Sequence, residues 1–171
     1  MNKILICTNT ERDPRLEVTK TIINRLRMLG AEAKVFLPFG NPENGIIDNA
    51  LLCQNPESDL KNVGLLICLG GDGTMLHISK LAAENQVPML GINMGQLGFI
   101  TELELEDIDR LDSVIKGSYT IENRMMIDVT VQRNGVEVYR GFGLNEAVVT
   151  RKNPAHAIRL TAYGADKKIS H

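Results

Sequence analysis

The sequence predicts an α/β protein in which a parallel-sheet domain is followed by the start of an antiparallel all-β domain. Three observations carry this expectation. In the first half, short all-apolar runs alternate with segments of helical period, and strands buried on both faces and joined by helices make a parallel sheet. One such run, residues 65–69, passes directly into Gly70-Gly71-Asp72-Gly73-Thr74 and then into a helical pattern. In the second half the period changes to two, and Asn134-Gly135 supplies the positive φ angles of a tight hairpin.

Element by element, residues 3–8 are an Ile- and Leu-rich run expected to be a buried strand. Over residues 16–29, Val18, Ile22, Leu26 and Leu29 recur at helical spacing, and Gly30 stands where the helix stops. Residues 33–37 give a second strand, broken by Pro38, and the stretch 38–45 is turn-rich. Residues 46–62 are ambiguous, read as one short helix and a loop. A third strand over 65–69, a helix over 74–84 with Leu76, Leu81 and Ala82 among its apolar positions, and a fourth strand over 88–92 follow. A helix over 106–116 carries Ile108, Leu111, Val114 and Ile115 inward and ends at Gly117.

Beyond it, Ile127, Val129 and Val131 alternate with Asp128, Thr130 and Gln132, and Val136 and Val138 resume the alternation after the turn. Residues 144–150 and 157–163 look like further strands, and Gly164-Ala165-Asp166 like another hairpin turn. A strand begun at Lys167 is cut off at His171, which would leave an open edge. The sequence therefore reads as unfinished. A boundary within 101–123 separates an α/β domain over 1–105 from a linking helix and incomplete β domain over 106–171, the first of them Rossmann-like.

A length of 171 residues suits one domain, or one domain and part of another. A hydrophobic fraction of 43% and a charged fraction of 23% are those of a soluble globular protein. The net charge of −2 leaves no electrostatic footprint for nucleic acid or an acidic membrane. Aromatics at 4%, with no Trp, also argue against a base-stacking surface. The three cysteines, Cys7, Cys53 and Cys68, have no C-x-x-C spacing, and two of them sit in apolar runs as small hydrophobes. That usage points to a reducing compartment without a structural metal. The first residues are neither a signal peptide nor a membrane span. The expected location is the cytoplasm, with neither nucleic acid nor membrane as partner.

The turn at Gly70 to Thr74 is where nucleotide phosphates are expected. Gly70, Gly71 and Gly73 let the backbone approach a ligand and adopt positive φ without penalty. A helix N-terminus adds unpaired N–H groups and a positive dipole end. A carboxylate in such a cradle repels phosphate, so Asp72 makes sense as an acceptor for a hydroxyl proton or a partner for Mg²⁺. The alternative is a plain strand-to-helix turn with Asp72 or Thr74 as the N-cap. The pattern is not a Walker A loop, and Leu76 removes it from G-x-G-x-x-G.

Gly70-Gly71-Asp72-Gly73-Thr74 resembles a signature shared by NAD kinases, diacylglycerol and sphingosine kinases and, more distantly, phosphofructokinases. The segment from Gly91-Ile92-Asn93-Met94-Gly95 through Gly98-Phe99-Ile100-Thr101 resembles NAD kinases specifically. Arg124-Met125-Met126-Ile127 is similar to the start of that family's β domain, and Asn145-Glu146 to its Asn-Glu motif. The resemblance implies transfer of the terminal phosphoryl group of ATP, or of polyphosphate, to the 2′-hydroxyl of the adenosine ribose of NAD. NAD and ATP would then be the small-molecule partners, Mg²⁺ or another divalent metal would come with ATP, and the complete protein would be a homo-oligomer.

By the same resemblance, Asp72 would be the proton acceptor, Gly70, Gly71, Gly73 and Thr74 would hold nucleotide, and Asn145 and Glu146 would hold the adenosine part of NAD. His77 and His156 fall where dinucleotide contacts occur in the family. Residue by residue, plainer readings stand beside these. Asn145 and Glu146 can be solvent-side strand residues, His77 an exposed helix residue, His156 a loop residue, and Met125-Met126 a core pair. The family continues beyond the position of His171 with a Gly-Asp-Gly segment and a Thr-Pro-Thr-Gly-Ser-Thr-Ala-Tyr-like segment. The 171 residues alone are accordingly expected not to make NADP at a useful rate. Two other functions compete: a lipid kinase with a hydrophobic acceptor groove, and a non-catalytic nucleotide-binding module.

Overall fold

The computed structural model describes residues 3–40, 47–48, 51–95, 98–153, 155, 157–165 and 167–170. Apolar runs become strands wherever a neighbour can pair with them. β1 (Lys3–Thr8), β2 (Glu32–Phe36), β3 (Leu65–Gly70), β4 (Met89–Asn93) and the two-residue β5 (Leu103–Glu104) form one sheet in the order β2-β1-β3-β4-β5. Every pairing in it is parallel. β3 is buried along its whole length, which explains why its sequence is apolar without alternation.

Helices α1 (Glu17–Met28) and α3 (Asp72–Glu84) cover the sheet, with a short α2 (Pro56–Leu60) between them. Ile22, Ile23 and Leu26 of α1 join Ile4, Ile6, Ile67 and Leu69 in one core cluster. Met75, Ile78 and Ala82 of α3 join Leu5, Leu66 and Cys68 in a second. The two clusters take alternate residues of β1 and β3, as a sheet buried on both faces requires. Cys7, Cys53 and Cys68 are free and buried. Burial pushes the Cys53 thiol up to about 12, and a hydrogen bond with Cys7, together with burial, raises Cys68. Thiols held protonated in this way are packing groups rather than nucleophiles.

The expected α/β core is present, and several boundaries move. The helix anticipated from Thr74 begins at Asp72, so Gly73 lies in its first turn. The helix anticipated over 106–116 is a 3₁₀ turn, Leu105–Arg110, followed by the short α4 (Leu111–Ile115). Leu111 is fully buried, and Ile108, Val114 and Ile115 pack against the first cluster as the spacing requires. Arg25 of α1 holds this segment by ion pairs to Asp109 at 2.6 Å and Asp112 at 2.7 Å.

In the second half, β6 (Ile127–Arg133) and β7 (Val136–Gly143) make the expected antiparallel hairpin, with φ of 51° at Asn134 and 77° at Gly135. β8 (Ala162–Gly164) and β9 (Lys167–Ser170) make another around Ala165. Two expectations fail. Residues 144–150 form no strand, and of 157–163 only the end is paired, in β8. β propensity measures fit to a pleated neighbour, and among the described residues no strand pairs with 144–150 or 157–161. Met125 is not core packing either; its side chain is 92% exposed.

Candidate functional site

In an open parallel sheet, ligands bind beyond the carboxyl ends of the strands, where the strand order changes direction. Here the order reverses between β1 and β3. A cavity of about 390 Å³ opens at that place, lined by the turn after β1 (Asn9, Glu11, Arg12), by Gly71 to Thr74 after β3, and by Asn93 to Gly95 at the end of β4. The structure thus gathers three loops that lie far apart in the chain.

The glycine-rich turn is built for space rather than for unusual dihedrals. Gly70, Gly71 and Gly73 are not among the residues with positive φ, which corrects the dihedral part of the expectation. A Cβ on Gly70 would collide with the side chain of Thr74, and one on Gly73 would meet no atom within 4 Å. Gly70 therefore makes room for buried Thr74, whereas Gly73 leaves the cavity open. Gly71 is the N-cap and offers no side chain, so neither Asp72 nor Thr74 caps the helix. The Thr74 N–H is taken by the Gly71 carbonyl at 2.9 Å, which leaves the Asp72 and Gly73 N–H groups, at the positive end of the helix dipole, without a partner among the described residues.

The Asp72 carboxylate turns away from its own helix. It accepts the Phe99 N–H at 3.0 and 3.1 Å on its two oxygens and the Ile100 N–H at 3.1 Å. This ties the loop after β4 to the start of α3 and fixes the plane of the carboxylate. Two buried oxygens nearby have no partner among the described residues: Thr74 Oγ1 and Asn93 Oδ1, in residues that are each 2% exposed. Leaving such a group unsatisfied costs about 1–3 kcal/mol. Asn93 directs its Nδ2 to both carboxylate oxygens of Glu104, at 3.0 and 3.2 Å, so its Oδ1 can only accept.

A second cavity, of about 570 Å³, is lined by Asp72, Leu76, Phe99, Ile100, Arg124, Met125 and Asn145, among others. Asp72 lies on both walls. Asn145 is exposed in this second cavity, and Glu146 beside it is also exposed. His77 is exposed on α3, its ring tilted against Phe39 at a centroid distance of 4.9 Å, and Phe39 lines the first cavity. His156 lies outside the described residues. Sequence reasoning gave no role to Asn9, Arg12 and Asn93. Their signal was positional: Asn9 directly follows β1, Arg12 sits in the turn beyond it, and Asn93 closes β4.

The comparisons with known proteins follow the same lines. Residues 53–119 match the family model described as the ATP-NAD kinase N-terminal domain. The NAD kinase of Caldanaerobacter subterraneus subsp. tengcongensis is 34% identical over 174 aligned residues, covering 99% of this chain and 59% of that protein. The chain is similar to the N-terminal part of these NAD kinases. A second relative, the NAD kinase of Heliobacterium modesticaldum, is 33% identical over 99% of this chain and 58% of its own length. The chain thus spans less than two thirds of the NAD kinases it matches. Yeast NADH kinase, crystallised with NADH, has the same fold at a TM-score of 0.64 and 23% identity, covering 85% of this chain and 47% of that one. No helix among the described residues is long and apolar enough to cross a membrane.

One group beside the NAD kinase-like segment has a pH signature. Glu102 presents its carboxylate to the Gly91 N–H at 2.7 Å. Burial raises its pKa, opposed by that N–H and by the charge of Arg124. A raised folded-state pKa gives stability that is fully present below the ordinary carboxylate value and is lost as pH rises through the folded value. Glu102→Gln keeps an oxygen for Gly91 and removes the charge. Its melting temperature should match or exceed that of the parent at pH 7–8, with the gain shrinking toward pH 4. A variant less stable than the parent at pH 8 would show that the ionised carboxylate is needed.

Proposed function

We propose that this chain supplies the donor cradle and the base of an NAD kinase, which transfers the terminal phosphoryl group of ATP, or of polyphosphate, to the 2′-hydroxyl of NAD. The observation that carries this reading is the position of Asp72 on the walls of two cavities. The first, with a helix N-terminus and open glycines, suits a chain of phosphates. The second suits the adenosine end of the acceptor, because Asn145 can both donate and accept at an adenine edge, and Glu146 can accept from ribose hydroxyls. His77 and His156 are assigned as further dinucleotide contacts.

In this scheme Asp72 accepts the proton of the 2′-hydroxyl as that oxygen bonds to phosphorus. The Phe99 and Ile100 N–H groups hold its carboxylate in one orientation, and fixed geometry supplies a large share of the rate in such transfers. A divalent cation, Mg²⁺ first of all, would arrive on the donor. The site fits one: orphaned Asn93 Oδ1, with the carboxylates of Asp72 and Glu11 in the same cavity, offers the hard oxygens Mg²⁺ takes, leaving other positions to phosphate and water. Bound there, it would neutralise charge on the transferred group.

The buried, free thiols suit a reducing cytoplasm. The exposed Val131, Val136, Val138 and Tyr139 of the β6-β7 hairpin suit an assembly of identical chains. The test incubates the intact protein with ATP, Mg²⁺ and NAD and reads NADP through an NADP-dependent dehydrogenase, with diacylglycerol and a sphingoid base as parallel acceptors. NADP is the expected product; phosphorylated lipid without NADP would overturn the proposal. Glu146→Gln should weaken NAD binding several-fold, and an unchanged Kd would remove Glu146 from the acceptor site.

A further inference from the structure

The donor cavity has an electrostatic problem that one residue solves. Of the charged side chains lining it, Glu11 and Asp72 are acidic, and Arg12 is the one cation among the described residues there. Phosphate chains carry several negative charges, and glycines with helix amides offset only part of them. Arg12 is exposed and makes no ion pair with a carboxylate among the described residues.

Its position is nonetheless defined. The turn after β1 is closed by the Asn9 carbonyl, which accepts the Arg12 N–H at 3.1 Å and the Asp13 N–H at 3.0 Å. Asn9 Oδ1 accepts the Glu11 N–H at 2.9 Å. Buried Asp13 anchors the far side, accepting the Thr19 N–H at 2.8 Å and the Thr19 hydroxyl at 2.7 Å. The guanidinium lies across Gly95, where an added Cβ would stand 3.0 Å from Nη1 and 3.4 Å from Cζ. Thr74, in the same cavity, keeps a buried hydroxyl with no partner among the described residues.

From this geometry we propose that Arg12 binds the terminal phosphates of the donor, and that position 95 is glycine so that the guanidinium can lie against the β4 loop while doing so. The planar fork of Arg matches two phosphate oxygens, and Thr74 Oγ1 donates to a third. This assignment rests on the phosphoryl-transfer reading above and deepens it on the donor side.

The probe is inorganic tripolyphosphate, titrated calorimetrically into the intact protein, because its binding needs no acceptor. Arg12→Met should weaken binding by about tenfold to a hundredfold, the range for a lost hydrogen bond to a charged group. Arg12→Lys should restore only part of it, since an ammonium lacks the fork. Gly95→Ala should also weaken binding, and the double variant Arg12→Met/Gly95→Ala should bind no more weakly than Arg12→Met alone. Arg12 is exposed, so the melting temperature of Arg12→Met should stay that of the parent. In turnover, the KM for ATP should rise while the KM for NAD stays within about twofold. Tripolyphosphate affinity in Arg12→Met equal to the parent's, or no binding by the parent, overturns the assignment. A parent that binds tripolyphosphate through Arg12 but makes no NADP sinks the NAD kinase reading and leaves this one standing. NADP formation with an unchanged KM for ATP in Arg12→Met does the reverse.

Discussion

Asp72→Asn in the intact protein should lower kcat for NADP formation by about a hundredfold or more while leaving the Kd for NAD within a few-fold. The exchange preserves shape and retains one side-chain oxygen, so the Phe99 and Ile100 N–H groups keep an acceptor. It removes the ability to take a proton. A loss confined to kcat assigns Asp72 to the chemical step, whereas a loss shared with melting temperature assigns it to anchoring the β4 loop. Turnover within a few-fold of the parent would leave Asp72 as a loop anchor alone.

Gly98→Ala should be nearly as damaging, for a steric reason. A Cβ at this position would stand 2.7 Å from Asp72 Oδ1 and 2.5 Å from Thr101 Oγ1, distances that real Cβ atoms essentially never show. Either the loop lifts away from α3, which breaks the hydrogen bonds that orient the carboxylate, or the carboxylate rotates. A base misplaced by about 1 Å can cost on the order of a hundredfold in rate, and overpacking typically costs about 1–3 kcal/mol. The expected result is a kcat reduced at least tenfold, roughly, with a lower melting temperature and a nearly normal KM for ATP. Parent-like kcat in Gly98→Ala would mean that the loop accommodates the methyl group and that the contact with Asp72 does not hold the base.

The first half of the chain was legible because its central strands, β1 and β3, are buried on both faces, so apolarity alone marks them. β5 escaped notice because Leu103–Glu104 is too short to show a period; only pairing with Ile92 and Asn93 defines it. The β6-β7 hairpin was readable from Asn134-Gly135, whose backbone demand is local. Residues 144–150 have similar composition yet remain unpaired, since strand formation depends on a partner that no local pattern supplies. The site divides in the same way. Asp72 announced itself as a charge in a glycine-rich turn, but its bonds to Phe99 and Ile100 depend on how the β4 loop folds back. Arg12 was silent because an Arg in a polar loop is ordinary until the sheet order sets it beside Gly95 and Thr74.

The loop between β4 and β5 is pinned where it leaves and re-enters the sheet. The Glu102 N–H bonds to the Gly91 carbonyl at 3.1 Å, and Asn93 bonds to Glu104. Between those pins it carries Gly95 against Arg12 on the donor side, and Phe99 and Ile100 against Asp72 at the acceptor side. These contacts set both cavities against the same segment of chain. Under the proposed reaction, occupancy of one cavity would be coupled to occupancy of the other through those shared contacts. Thermodynamic linkage makes that coupling equal in both directions: whatever factor the donor changes the affinity for the acceptor by, the acceptor must change the affinity for the donor by the same.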